Sequence, residues 1–383
     1  MKKLSWKELS VFLVYAAVAL IAISDTGFQL LLLKYGFSNS SILRKLGLFL
    51  LFLKLFGTRY TKKEFFLFFP LIVLSLYNYR LCGNIYCFYN VLFVACMKDI
   101  DYEPLFKSLF YSTFAAMLAI GILSFFGIGG LVSLTQDFGR NGFETRYCFG
   151  LYHPNIWHQA FSRCMVYFSL GYYKQLKWPS FAALFLCNLA AYSFSLSRTG
   201  LLTGTMFLGL LFLYKYLPKL MNRTVVKITL FSTAVIAYAG YYLMLIDYFT
   251  YPTMFSQHFN KKWATGRLGQ AAMYLLKRPF KALGTRFPDD GTVVDCGFLR
   301  MLSESGYLLG GLFLICLFVL LALALKHGWG QITAVILMTI LYSLYEVHPL
   351  TRAPYNIPVF YFGLLLYPQL AKTFSQKSSD DSV

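Results

Sequence analysis

Of 383 residues, 58% are hydrophobic, 19% aromatic and only 13% charged. An average soluble domain is about 25% charged, so this composition excludes an ordinary soluble protein. A formal charge of +19 would suit a nucleic-acid binder, but the chain has neither a basic block nor a soluble domain to carry it. A polytopic protein facing anionic lipid and lipid phosphates accounts for the charge instead.

The sequence reads as an all-α polytopic integral membrane protein, one domain over residues 1–383. Each span needs about 20 mostly apolar residues, allowing for its flanks. Candidates in chain order lie near 9–33, 40–56, 65–79, 85–97, 105–128, 156–173, 181–196, 201–217, 225–246, 307–325, 332–347 and 357–370. The first follows Met1-Lys2-Lys3 and contains Ala22-Ile23-Ser24, which is signal-peptide-like, but apolar residues resume to Leu33, as expected of an uncleaved first span. The second carries Arg44, Lys45 and Lys54, and the fourth is short; if the third and fourth form a re-entrant pair, the later loops keep their sides. The expectation is about 12 spans (10–12). Two outer loops, 129–155 and 247–305, are long enough to carry chemistry, the larger between the ninth and tenth spans. Residues 372–383 read as a solvated cytoplasmic tail.

With the N-terminus cytoplasmic, the basic residues sort by side. Sixteen lysines fall inside with only Arg59 and Arg223; outside fall six lysines and ten arginines; Arg163 lies within a span. Lysine inside is the ordinary orientation signal. Arginine outside needs another reason, and its planar fork suits bidentate binding of phosphate or carboxylate. The sorting points to an enzyme or carrier handling an anionic substrate at the outer face.

The eight cysteines show no CxxC or Cys/His ligand spacing and read as small apolar residues. Cys148 and Cys296 both fall in outer loops and are able to pair. The first loop holds Arg140 and Arg146 and ends in His153-Pro154-Asn155, where His153 is either a cap or a ligand-facing residue. In the second, Leu268, Ala271, Ala272, Leu275 and Leu276 form an apolar helical stripe after Thr265-Gly266-Arg267. Thr265 is the expected N-cap of a helix lying in the membrane interface, with free N–H groups available to an anion beside Arg267. Lys277-Arg278-Pro279 stops the helix, and a turn-rich stretch around Arg286 leads to Asp295. Arg198, in Ser197-Arg198-Thr199-Gly200 between two spans, is either functional or an interface residue reaching the headgroups. Of the histidines, His153, His158, His258 and His348 fall near the outer side, and His327 inside. His348 lies between Glu346 and Arg352 and is a candidate to line the same cavity.

Three ordered motifs carry a resemblance: His153-Pro154-Asn155; Ser197-Arg198-Thr199-Gly200; and Thr265-Gly266-Arg267 followed by Pro279, Gly284, Asp295, Phe298-Leu299 and Glu304-Ser305-Gly306. Together they resemble the O-antigen ligase/polymerase superfamily, and within it the Wzy-type polymerases of capsule and exopolysaccharide. The resemblance implies a metal-independent membrane glycosyltransferase, similar to the GT-C type, at the outer face of the bacterial cytoplasmic membrane, with both termini cytoplasmic. Its substrate would be an undecaprenyl-pyrophosphate-linked oligosaccharide. A chain-length regulator and a flippase of the same pathway would be its partners, besides membrane lipids and with no nucleic acid.

The resemblance carries roles by position. Arg198 and Arg267 would bind pyrophosphate, with Arg286 joining them; Asp295 would act as general base, with His348 as the other candidate. His153, Asn155, Arg140 and Arg278 would contact glycan or shape the loops. The ligases resemble a His-Asn-x-Tyr-Leu pattern where this chain reads Asp295-Cys296-Gly297-Phe298-Leu299, which counts against transfer to a different acceptor. An Arg-x10-Gly spacing noted in some polymerases occurs at Arg198/Gly209 and Arg286/Gly297. A transporter of lipid-linked sugars would be expected to show duplicated halves and charged residues within its spans; no repeat is visible, and only Asp25 and Arg163 stand out there.

Overall fold

The computed structural model describes residues 5–28, 31, 34, 35, 41–138, 142–262, 264, 266–286, 294–351, 353–367 and 369–372. Its helices in chain order are α1 (Trp6–Ile23), α2 (Ile42–Gly57), α3 (Lys62–Cys82), α4 (Tyr86–Cys96), α5 (Tyr102–Phe125), α6 (Pro154–Gly171), α7 (Trp178–Ser195), α8 (Arg198–Tyr216), α9 (Pro218–Met221), α10 (Thr224–Thr250), α11 (Met254–Lys262), α12 (Arg267–Lys277), α13 (Gly297–His327), α14 (Gly330–Tyr345), α15 (His348–Thr351) and α16 (Pro358–Leu366). One hairpin, β1 (Ser133–Asp137) and β2 (Phe143–Tyr147), interrupts them, with Thr135 paired to Thr145. Among the described residues, five helices are long and apolar enough to cross a membrane: Trp6–Gly27, Lys62–Cys82, Tyr102–Phe125, Thr224–Thr250 and Gly297–His327. Shorter apolar helices stand at Tyr86–Cys96 and Gly330–Tyr345. The protein is therefore all-α apart from the hairpin and has the helices of a membrane-embedded chain.

The chain divides into two compact units, Met1–Arg59 with Lys98–Phe212, and Tyr60–Met97 with Leu213–Val383.

In the first unit α1 and α2 form an antiparallel pair. Ser5 and Glu8 close a capping box at the start of α1. Trp6 Nε1 donates to the Gly57 carbonyl (3.0 Å) at one end of the pair, and Arg44 Nε donates to Asp25 Oδ1 (3.0 Å) at the other. Gly47 lets the helices close, since a Cβ there would lie 2.6 Å from Ile21. The Arg44–Asp25 pair shows how this charged segment packs its first turn against the end of α1. Both side chains are nearly buried, and each offsets the other's desolvation. The loop residue Leu151 joins Ile120 and Ala160 in a core cluster that ties the hairpin end to α5 and α6.

In the second unit α13 is not continuous. Gly306 sits at φ 74°, ψ 166° and breaks it. The freed N–H groups are not left bare: Tyr307 donates to the Lys281 carbonyl (2.9 Å) and Leu308 to that of Ala282 (3.1 Å), while Thr285 donates to Ser303 (3.3 Å). Residues 281–285 thus run along the break and satisfy it, as a buried helix interruption requires. Glycine is obligatory at 306, because a Cβ would strike the Ala282 carbonyl and the Gly284 nitrogen. Asn78 of α3 secures the same junction, donating to the carbonyls of Leu283 (2.5 Å) and Glu304 (3.2 Å).

Candidate functional site

In the second unit Arg267 and Asp295 come together. Arg267, the first residue of α12, donates from Nε to Asp295 Oδ2 at 3.2 Å. Its Nη2 lies 3.8 Å from Glu346 Oε1. The guanidinium fork thus spans two carboxylates that belong to different chain segments. Asp295 is the accessible one, with its side chain 37% exposed against 9% for Glu346.

Gly297 makes this juxtaposition. A Cβ there would lie 2.9 Å from the carbonyl oxygens of both Glu346 and Val347, so only glycine lets the start of α13 press against that turn. Cys296 is buried beside it, and burial pushes its thiol up to about 12. Phe298 packs against Tyr238 (4.8 Å between ring centroids) and Tyr241 (5.8 Å), holding the start of α13 on α10. His348 opens α15 two residues after Glu346, its ring 5.3 Å from that of Tyr355; the bond Asp295 makes is to Arg267 and not to His348.

The start of α12 differs from expectation. Thr265 lies outside the described residues, and the helix is capped instead by Gly266 in the left-handed region (φ 85°) and by Asn260. Asn260 Oδ1 accepts from Leu268 N (3.0 Å) and Gly269 N (3.3 Å), and Arg267 N donates to the Ala264 carbonyl (3.0 Å). The first-turn N–H groups are therefore occupied and not free for an anion; the guanidinium is what this helix end offers. The expected apolar stripe also turns inward. Leu268, Ala271 and Ala272 are buried with Tyr274, while Met273 and Leu276 are exposed.

A second polar cluster surrounds the break in α13. Arg300 Nε donates to Glu304 Oε1 at 2.5 Å, and Asn84 Nδ2 donates to Glu304 Oε2. Arg278 is buried nearby, its guanidinium 4.9 Å above the Tyr274 ring, and its carbonyl accepts from Ser303 Oγ (3.5 Å). Its side chain sits in the core and not on the loop surface. Arg286 is exposed at the edge of the described residues; Asp289 and Asp290 lie outside them, as do Arg140 and Arg352.

In the first unit Arg198 opens α8 and is exposed, with no hydrogen bond or ion pair to any described residue. His153 is a cap: its Nδ1 accepts from Asn155 N (3.2 Å) at the start of α6. Arg146, almost fully buried, pairs with Glu144 (2.6 Å) and stacks 3.8 Å over Phe138. Cys148 and Cys296, which the sequence left able to pair, are both free thiols.

The sequence reading missed Glu346 and Asn260 as partners of the Arg267 helix, and His158 as a core residue. The signal for Glu346 was an acid ending an apolar helix two residues before a candidate histidine. Compared with protein-family models, with curated proteins and with solved structures, the chain matches none.

Proposed function

We propose that this chain is a membrane glycosyltransferase that polymerises polyprenyl-pyrophosphate-linked oligosaccharide repeats at the outer face of the bacterial cytoplasmic membrane, with about 12 spans and both termini inside. The observation that carries the reading is the Arg267 fork held between the reachable carboxylate of Asp295 and the more buried one of Glu346.

In this reading a hydroxyl of the acceptor repeat attacks the anomeric carbon of the donor glycan. The bond from that carbon to the pyrophosphate oxygen breaks, and the lipid pyrophosphate departs with the electron pair. Asp295 takes the proton of the attacking hydroxyl, which a carboxylate at hydrogen-bond range does well. Arg267 then exchanges its contact with Asp295, whose charge has been neutralised, for the oxygens of the leaving group, where charge has appeared. Glu346 keeps the guanidinium oriented throughout. Arg267, Asp295 and Glu346 together carry a net charge of −1, so a pyrophosphate must draw on further cations. The loop supplies them: residues 248–288 hold Lys261, Lys262, Arg267, Lys277, Arg278, Lys281 and Arg286 and no acidic residue. Arg198 enters the reading through its motif and its exposed guanidinium.

The test uses the purified chain in lipid nanodiscs with synthetic lipid-linked repeats. A ladder of longer glycans with released polyprenyl pyrophosphate is expected. Asp295→Asn should bind the substrate and form no ladder, because the amide keeps size and polarity but cannot take the proton. Near-normal polymerisation by Asp295→Asn removes Asp295 as the base. Transfer only to an acceptor that carries no lipid overturns polymerisation itself.

A further inference from the structure

The turn that carries Arg198 is held from beneath by a polar network with no exposure to solvent. His158 of α6 and Asn188 and Ser195 of α7 are each 0% exposed. Asn188 Nδ2 donates to the Leu201 carbonyl (3.0 Å) and to Thr205 Oγ1 (3.3 Å), both on α8, which fixes its amide with Oδ1 toward His158 Nε2 at 3.3 Å. Nε2 therefore carries a proton. On the other side of the ring, Nδ1 lies 2.7 Å from Ser195 Oγ, and that oxygen accepts from Ser197 N at 3.2 Å. One imidazole thus ties together the α7 end, the backbone just before Arg198 and, through Asn188, the first two turns of α8.

Packing enforces the same arrangement. A Cβ on Gly200 would lie 2.7 Å from His158 Nε2 and 2.8 Å from its Cγ. A Cβ on Gly204 would lie 2.9 Å from both polar atoms of the Asn188 amide. The glycine of Ser197-Arg198-Thr199-Gly200 is there because the imidazole occupies the space of a side chain. Leu196 turns the chain in the left-handed region (φ 51°), a conformation that a residue with a branched side chain holds only when its surroundings impose it. A fully satisfied buried network imposes such geometry firmly. Arg198 itself is exposed and makes no hydrogen bond or ion pair to a described residue. Its guanidinium is aimed by where α8 begins.

We infer that His158 is a positioning residue for Arg198: it sets the start of α8 so that the arginine meets a pyrophosphate-bearing lipid. This rests on the functional reading above, and its failure is separable from that reading's. The ring is too deeply buried to touch the substrate, so its effect passes through Arg198 alone.

The experiment measures binding of undecaprenyl pyrophosphate to the full-length chain in nanodiscs, with thermal unfolding recorded for each variant. Arg198→Ala is expected to weaken binding by about tenfold or more, as is His158→Phe, which keeps the ring but loses both hydrogen bonds. His158→Gln, whose amide nitrogen can still donate to Asn188 Oδ1, should recover most of the loss. The decisive variant combines Arg198→Ala with His158→Phe, and it should bind no worse than Arg198→Ala alone. Gly200→Ala, which leaves His158 in place but pushes α8 away, should reproduce the loss and serves if His158→Phe fails to accumulate. Additive losses in the double variant, or wild-type binding by both His158→Phe and Gly200→Ala, overturn the inference while Arg198→Ala still binds poorly. Wild-type binding by Arg198→Ala overturns the pyrophosphate role of that arginine, and the positioning role with it.

Discussion

At the scale of single residues, the Arg267 fork decides what substitutions do. Its two contacts diverge, Nε to Asp295 and Nη2 toward Glu346, and a lysine ammonium cannot serve both directions. Arg267→Lys is expected to lower polymerisation by about tenfold or more, since a point charge replaces a bidentate donor. Stability should fall as well, because the side chain of Glu346 is only 9% exposed and a carboxylate that buried loses this partner when the fork is shortened. Turnover and thermal unfolding measured on one preparation check both halves, and normal turnover would remove Arg267 from the site. Cys296 gives an independent reading of the same region. Its buried thiol, pushed up to about 12, stays protonated at pH 8 and forms thiolate only as the pH nears that value. Mass spectrometry after maleimide treatment at pH 8 should find it unmodified in the folded chain and modified after denaturation. Arg267 was legible in the sequence as the opening of an amphipathic stretch, and Asp295 through the ordered motifs that carry the family resemblance. Glu346 was not, since its neighbour in space is set by the close approach of Gly297. His158 was not either, because a histidine in an apolar helix carries no sign of the hydroxyl and amide it will meet.

At the scale of elements, hydropathy located the helices well and their ends poorly. Apolar runs at 105–128, 156–173, 181–196 and 201–217 became α5, α6, α7 and α8 with ends shifted by a few residues. The run at 307–325 begins ten residues too late, because α13 starts at Gly297 in a segment whose polar residues are buried against Asn84, Arg278 and the 281–285 strap. Nor does periodicity reveal the break at Gly306, which depends on backbone from a remote segment. The hairpin of β1 and β2 was read only as a loop; its strands are five residues each, too short to show alternation. The cap of α12 is the most consequential of these differences. A side chain that precedes the helix by several residues does the work expected of Thr265. Asn260→Ala should therefore destabilise the fold by about 1 kcal/mol, the usual cost of a lost cap, whereas Asn260→Asp keeps the acceptor and adds a charge favourable to the helix start. Thermal unfolding separates the two, and an Asn260→Ala protein as stable as the parent would show that these N–H groups find another acceptor.

At the scale of the whole molecule, the division into two units had no counterpart in the sequence, because each unit is assembled from segments far apart in the chain. Composition gave the class, and the proposed sidedness rests on the sorting of lysine and arginine, a property of the chain in its membrane. That sorting makes a sharp prediction. Thr145 on β2, Lys262 at the end of α11 and Asn222 after α9 are all exposed side chains, so reactivity at each reports the compartment it faces and not its burial. With cysteine introduced at each position, an impermeant maleimide added to intact cells should label 145 and 262 and leave 222 unlabelled until the membrane is opened. The prediction for position 222 rests on the lysine-rich joint around Lys215, Lys219, Arg223 and Lys227, since such joints are retained on the cytoplasmic side during insertion. The reverse result at 262 would put Arg267 and Asp295 on the cytoplasmic side, where an outward-facing lipid-linked glycan cannot reach them. The proposed reaction would fall with it, although the Arg267 cluster itself would stand. Labelling at all three sites in intact cells would mean that the reagent had entered, and a cytoplasmic control protein scored in the same cells identifies that case.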